Sequence, residues 1–214
     1  MCHRLGALVA ALLLFPATAD AIDFHSAGVS AGGSWMTQSW DYDGTDLEIV
    51  DSGIFGPSLG GFAIMSVTPA FHVGLETFYL RKGFETEFTK TSPDSPNPQG
   101  TFTETYELHY LSVPVTARYR IPAGSVVLYP LGGVSAEILL GRSDNWLLDE
   151  LNSVVFALHL GAGVDIGRFA VTARYVGDFT NSYDRPSSAD EDGITLESVK
   201  SQGVAVLVSY SLWQ

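Results

Sequence analysis

An eight-stranded antiparallel up-and-down transmembrane β-barrel is the all-β fold this sequence predicts, and three observations predict it. Apolar and polar residues alternate at every second position through eight stretches, the period of a strand whose two faces meet different surroundings. Four long acidic segments alternate along the chain with three tight turns, as happens when long loops lie on one side of a membrane and short ones on the other. Charge is also segregated: segments 37–58, 84–104, 141–152 and 180–200 carry −5, −3, −2 and −3, the whole of the net −13. The strands and short turns are therefore neutral together, a segregation that a water-soluble fold has little reason to adopt.

The chain opens with His3 and Arg4, an apolar run from Leu5 to Phe15, Pro16 and the small-x-small triplet Ala19-Asp20-Ala21. This order predicts a secretory signal peptide over 1–21 and a barrel domain over 22–214. The apolar run is far shorter than the ~20 residues of a spanning helix. Cys2 leaves with the signal, so no disulfide or thiolate chemistry is expected in the mature chain.

The strands are expected at 24–36, 59–67, 71–83, 105–121, 126–140, 153–166, 169–179 and 202–213. Across the turn Thr68-Pro69-Ala70, Met65 opposes Val73 and Ala63 opposes Leu75. In 105–121 one face carries Leu111, Val113, Val115, Ala117, Tyr119 and Ile121, and the other Ser112, Pro114, Thr116, Arg118 and Arg120. An arginine facing lipid at mid-bilayer costs ~2–4 kcal/mol, so the arginine face points into the lumen. A four-residue turn, Pro122-Ala123-Gly124-Ser125, then sets Ile121 against Val126, Arg118 against Tyr129, Ser112 against Ser135 and Tyr110 against Glu137. The turn Gly167-Arg168 pairs Ile166 with Phe169, Val164 with Val171, Leu160 with Tyr175 and Gly161 with Arg174. Opposed residues share a face, and a one-residue slip would mix the faces. The last strand turns Val204, Val206, Val208, Tyr210 and Leu212 outward.

Two residue sets follow. Leu111, Val113, Val115, Tyr119, Val164, Val171, Val206 and Tyr210 are expected to face lipid. Glu76, Lys82, Arg118, Arg120, Glu137, His159, Asp165 and Arg174 are expected to form a structural charge network in the lumen, since eight strands enclose a space that side chains just fill. An even strand number places both termini on the short-turn, periplasmic side and the acidic loops outside. Tyr119, Phe169 and Phe71 fit one interfacial girdle, and Trp35, Tyr79 and Phe156 the other.

Glu76-Thr77-Phe78-Tyr79-Leu80-Arg81-Lys82-Gly83 resembles the third-strand signature of the PorT-type outer-membrane β-barrel family. Tyr110-Leu111-Ser112-Val113-Pro114-Val115-Thr116-Ala117-Arg118-Tyr119 is similar to its fourth strand, and Gly161-Ala162-Gly163-Val164 followed by Ala173-Arg174-Tyr175 suits the same pattern. The resemblance covers most of the mature chain. It implies an outer-membrane location and a non-enzymatic role, with some relatives serving protein secretion.

Ser135, Glu137 and His159 contain the residue types of a hydrolytic triad, but no strained Gly-x-Ser-x-Gly turn presents the serine. Asp41, Asp43 and Asp46, and the triplet Asp190-Glu191-Asp192, hint at calcium without the spacing of a calcium loop. The glycines of 161–167 lack the following helix of a nucleotide site, and Gly161 is expected to make room for Arg174. No metal, cofactor or nucleic acid is expected. The expected partners are outer-membrane lipid and lipopolysaccharide, the barrel-assembly machinery during insertion, and other envelope or secretion proteins, with the barrel itself a monomer. The alternatives are a secretion or assembly accessory, a soluble lipocalin-like carrier with its apolar face inward, and a lipid-modifying enzyme.

Overall fold

The computed structural model describes residues 23–43, 48–50, 52–89, 101–144, 151–183 and 195–214. The expected signal peptide 1–21 with Cys2, the proline-rich stretch 92–98, Asp46 and the Asp190-Glu191-Asp192 triplet lie outside the described residues. The strands are β1 (Asp23–Asp43), β2 (Glu48–Val50), β3 (Ser52–Ser66), β4 (Phe71–Thr89), β5 (Thr101–Tyr119), β6 (Ile121–Ala123), β7 (Val126–Arg142), β8 (Val154–Ile166), β9 (Phe169–Asp178) and β10 (Thr195–Trp213). β2 lengthens the β3 arm alongside β1, and β6 continues β5 alongside β7, so the wall has eight staves. Each stave pairs antiparallel with its chain neighbours, and β10 closes on β1 from Ala27↔Trp213 to Asp43↔Thr195. Closure matters because hydrocarbon offers no partner to a free strand edge.

Two of the three expected hairpin registers are observed unchanged. Met65 pairs with Val73 and Ala63 with Leu75; Ile166 pairs with Phe169, Leu160 with Tyr175 and Gly161 with Arg174. The β5/β6–β7 hairpin differs. Its turn is the two residues Gly124-Ser125, because Ala123 still pairs with Val126, and Gly124 adopts φ +68°. Positive φ at the first turn position suits a primed two-residue turn, which matches the twist of the flanking strands. Every partner therefore moves by two residues: Ile121 meets Leu128, Arg118 meets Leu131, Pro114 meets Ser135 and Ser112 meets Glu137. A shift of two keeps each side chain on its expected face.

The second difference is length. β1, β4, β5 and β10 run 21, 19, 19 and 19 residues, well past the ~9–11 that cross a bilayer. Parts of segments expected as acidic loops, including 37–43, 84–89, 101–104 and 195–200, are paired strand. The reason lies on the inward face. Met36, Trp40, Phe84, Tyr106, Leu108, Tyr110, Val155, Val176, Tyr183 and Val199 pack into one buried cluster at the loop-side end. Trp40 meets Phe84 edge-on at 5.4 Å, and Phe84 stacks on Tyr106 at 4.8 Å. Around Phe84, Tyr106 and Val199 the neighbouring outward positions, Glu85, Thr105, Glu107, Ser198 and Lys200, are polar, so there burying apolar groups stabilises the strands as it does in a soluble domain.

A seam interrupts the wall between β3 and β4. Between Gly53↔Phe84 and Gly60↔Phe78 the β3–β4 register shifts, in the stretch containing Pro57, which has no N–H to donate. Arg81 Nη1 donates to the Phe55 carbonyl at 3.4 Å across this gap. Beside it Gly83 holds φ +150°, and a Cβ there would lie 1.9 Å from the Tyr106 carbonyl oxygen. Gly83→Ala is therefore expected to destabilise the barrel by ~1–3 kcal/mol, read as a lower temperature for loss of the compact, heat-modifiable gel species. Gly132→Ala, whose Cβ would meet nothing closer than 3.6 Å, should leave that temperature unchanged.

Candidate functional site

The alternation of β4, β5, β7, β8 and β9 brings Glu76, Lys82, Arg118, Glu137, His159 and Arg174 to one side of the wall, the inside, where all are buried. They form layers. In the lower layer Glu76 is held between two arginines: Arg118 Nη2 donates to Oε1 at 2.7 Å and Arg174 Nη2 to Oε2 at 2.8 Å. Thr116 Oγ1 adds a third bond to Oε1 at 3.1 Å. In the upper layer the arrangement is inverted, with the Lys82 ammonium ion-paired to both Glu137 and Asp178. Ser112 and Ser135 each donate to Glu137 Oε1 at 3.3 Å. One triad carries a surplus positive charge and the other a surplus negative charge, so the pair is neutral.

Aromatic rings line the cations. Lys82 Nζ lies 5.2 Å from the Tyr110 ring centroid, the Arg118 guanidinium 5.2 Å from Tyr129 and the Arg174 guanidinium 5.6 Å from Phe78. These are attractive contacts that strengthen where water is excluded. Glycines admit the bulk. Gly161 lies so close to Arg174 that a Cβ would come within 2.8 Å of the arginine's own Cβ, and Gly163 leaves room for the Tyr129 ring.

The eight expected residues fall into separate groups. Arg120 and Asp165 stand apart at the short-turn mouth, 3.8 Å from each other and partly exposed, beside His25 and His72, whose rings meet edge-on at 4.4 Å. A cavity of about 30 Å³ opens there, enough for a water molecule. His159 joins no carboxylate: its Nε2 bonds Ser135 Oγ at 2.8 Å. Asp178, the second partner of Lys82, was not among the expected residues. Continuing the inward alternation of β9 from Arg174 through Val176 would have reached it.

Ser135 and His159 are within hydrogen-bond reach, yet their surroundings do not make a triad. Glu137 contacts Ser135 and not His159 Nδ1, which has no hydrogen-bond partner among the described residues. A working triad needs the carboxylate on that nitrogen to set the tautomer. Ser135 itself is buried in mid-strand. No group of three or more metal-type side chains converges among the described residues.

On the outside, Val115, Tyr119, Val171 and Val206 are exposed, Val115 at 48 %, and Leu111, Val113, Val164 and Tyr210 share their faces by strand parity. Near the loop-side limit of this apolar surface Tyr79 Oη bonds His109 Nδ1 at 2.6 Å, and Arg81 pairs with Glu107.

The upper triad yields a pH-dependent prediction. Lys82→Met leaves two buried carboxylates without a counter-ion, a defect on the scale of ~3–5 kcal/mol. The loss is expected at neutral pH and should shrink on acidification, because neutral carboxyls need no cation. Denaturant unfolding of the wild type and the variant at about pH 7.5 and about pH 5 reads the difference.

Comparison with known proteins gives one family and several structural neighbours. Residues 7–211 match the family described as outer membrane protein beta-barrel domain. Among solved structures, Neisserial surface protein A is 12 % identical with a TM-score of 0.44, covering 88 % of this chain and 100 % of its own. Ail, the attachment invasion locus protein of Yersinia pestis, is 16 % identical with a TM-score of 0.38, covering 88 % and 100 %. The outer membrane protease OmpT from Escherichia coli is 11 % identical with a TM-score of 0.40, covering 91 % and 100 %. No curated protein sequence matches the chain. With a family match running along nearly its whole length and a closed ring of eight staves, the chain belongs to the outer membrane protein β-barrel family and resides in the outer membrane.

Proposed function

We propose that the protein is a non-enzymatic, monomeric barrel with a closed interior, serving as a structural or recognition element of the envelope through its loop-side rim. The observation that carries this reading is the filled lumen. Two ion triads and the apolar cluster that begins beside the upper one occupy the cross-section with buried side chains, Lys82, Glu137 and His159 each at 0 % exposure. An interior packed in this way supports no steady solute path, which shifts activity to the surface. There the β4–β5 hairpin and the β10–β1 pair stand highest and carry acidic segments. The signal peptide over 1–21 belongs to this reading, as the means of export.

The lipocalin-like alternative is set aside by the direction of the side chains: Leu75, Val115, Val134 and Val206 point outward and the charges inward. The reading as a secretion accessory keeps one specific support. The two segments that resemble the PorT-type family form the adjacent strands β4 and β5, which supply Glu76, Lys82, Ser112 and Arg118 to the lumen. On that reading the partners are other envelope proteins bound at the rim.

Conductance in planar bilayers is the direct test. The reconstituted barrel should give no steady channel, and a stable, reproducible conductance would overturn the closed reading. Lipid A composition in cells carrying His159→Ala should match the wild type; a changed lipid profile would point to the enzyme. Crosslinking that captures a secretion component through the rim would favour the accessory.

A further inference from the structure

Where β9 ends at Asp178, β10 runs on toward the loop side without it. The last β9–β10 pair is Gln202↔Gly177, whereas β10 continues along β1 as far as Thr195. This step in the wall opens a cavity of about 400 Å³, lined by Ser39, Tyr175, Asp178, Ser198, Lys200 and Gln202 among others. The volume falls in the range of small-molecule sites, ~300–1,000 Å³.

Its height along the wall is defined by the strands that build it. The last apolar outward residues are Val204 on β10 and Trp35 on β1, both exposed; the next outward positions are Gln202 and Lys200, and Thr37 and Ser39. The cavity therefore straddles the level at which hydrocarbon gives way to headgroups, and the loop side of such a barrel faces the outer leaflet. Lys200 is exposed and in no ion pair among the described residues. Tyr175 Oη donates to Gln202 Oε1 at 2.9 Å, which fixes the amide and leaves its N–H donors for a ligand. Among the described residues the one carboxylate in the floor is Asp178, which is ion-paired with Lys82, a cation it shares with Glu137, and accepts from Ser201 N at 3.1 Å.

We propose that this notch holds the phosphorylated sugar headgroup of an outer-leaflet glycolipid, with its acyl chains lying on the apolar wall beneath Tyr175 and Val204. An ammonium, amide donors and serine hydroxyls suit a phosphate on a sugar, and the apolar surface directly below suits the chains attached to it. A free sugar phosphate would gain nothing from that lower surface. The inference rests on the outer-membrane placement of the barrel with its loop side outward.

The test uses the full chain folded in neutral detergent, checked by heat-modifiable migration, and titrated with an acylated glucosamine disaccharide bearing two phosphates or none, read by native mass spectrometry. The wild type should prefer the phosphorylated lipid by about fivefold or more, the effect of one basic residue at an anionic membrane surface. Lys200→Glu and, as the milder variant, Lys200→Gln should abolish the preference. Arg168→Glu, an exposed cation at the opposite end in the Gly167-Arg168 turn, should retain it. Absence of a preference in the wild type, an equal loss in Arg168→Glu, or displacement of the lipid by inorganic phosphate at the same concentration would each overturn the notch. A chain that stays soluble without detergent would instead overturn the membrane reading beneath it.

Discussion

The constraint on which this structure depends is that a bilayer offers the backbone no hydrogen-bond partner. Pairing β10 with β1 removes the last free edge, and once the ring is closed each strand has one face toward lipid and one toward its neighbours across the lumen. Every charged side chain within the span is then forced inward, where it must find an opposite charge in a space a few side chains wide. Glu76 between two arginines and Lys82 between two carboxylates are the outcome. Neither triad is neutral alone, and each is compensated by the other.

This mutual compensation also accounts for residues that look catalytic out of context. His159 and Ser135 bond each other because both occupy inward positions on neighbouring strands, with Ser135 paired across to Ala157 and His159 to Gly133. Glu137 is drawn to Lys82, so it is not available to orient the histidine. The chemistry of this region is that of a packed interior with satisfied charges.

Much of the architecture was legible in the sequence because strand parity is a strict signal. Arg118 and Arg120 alone fix the inward face of their strand, and the Gly167-Arg168 turn fixes partners down to Gly161 and Arg174. What was not legible depends on facts that parity does not carry. The two-residue turn at Gly124 rather than a four-residue one shifts partners by two without changing any face, so no pattern of polarity could detect it. Asp178 was missed because it closes β9, where the alternation is hardest to separate from a loop. The expected strands stop at the acidic segments, and acidity does not separate a loop from a strand that rises into water, as β1, β4, β5 and β10 do.

Those tall strands cross two solvents, and their inward face changes chemistry at the crossing. Below, where the exterior is oil, the interior carries Glu76, Ser112, Thr116 and Arg174; above, where the exterior is water, the inward faces carry Trp40, Phe84, Tyr106 and Val199. A single cylinder thus joins two thermodynamic regimes. Melting the crown exposes greasy surface to water and should absorb heat with a positive heat-capacity increment, whereas loosening the embedded half uncovers chiefly polar and charged side chains while its apolar face stays in lipid, and contributes little of that signature. The crown is therefore the part of this molecule whose cohesion weakens in the cold.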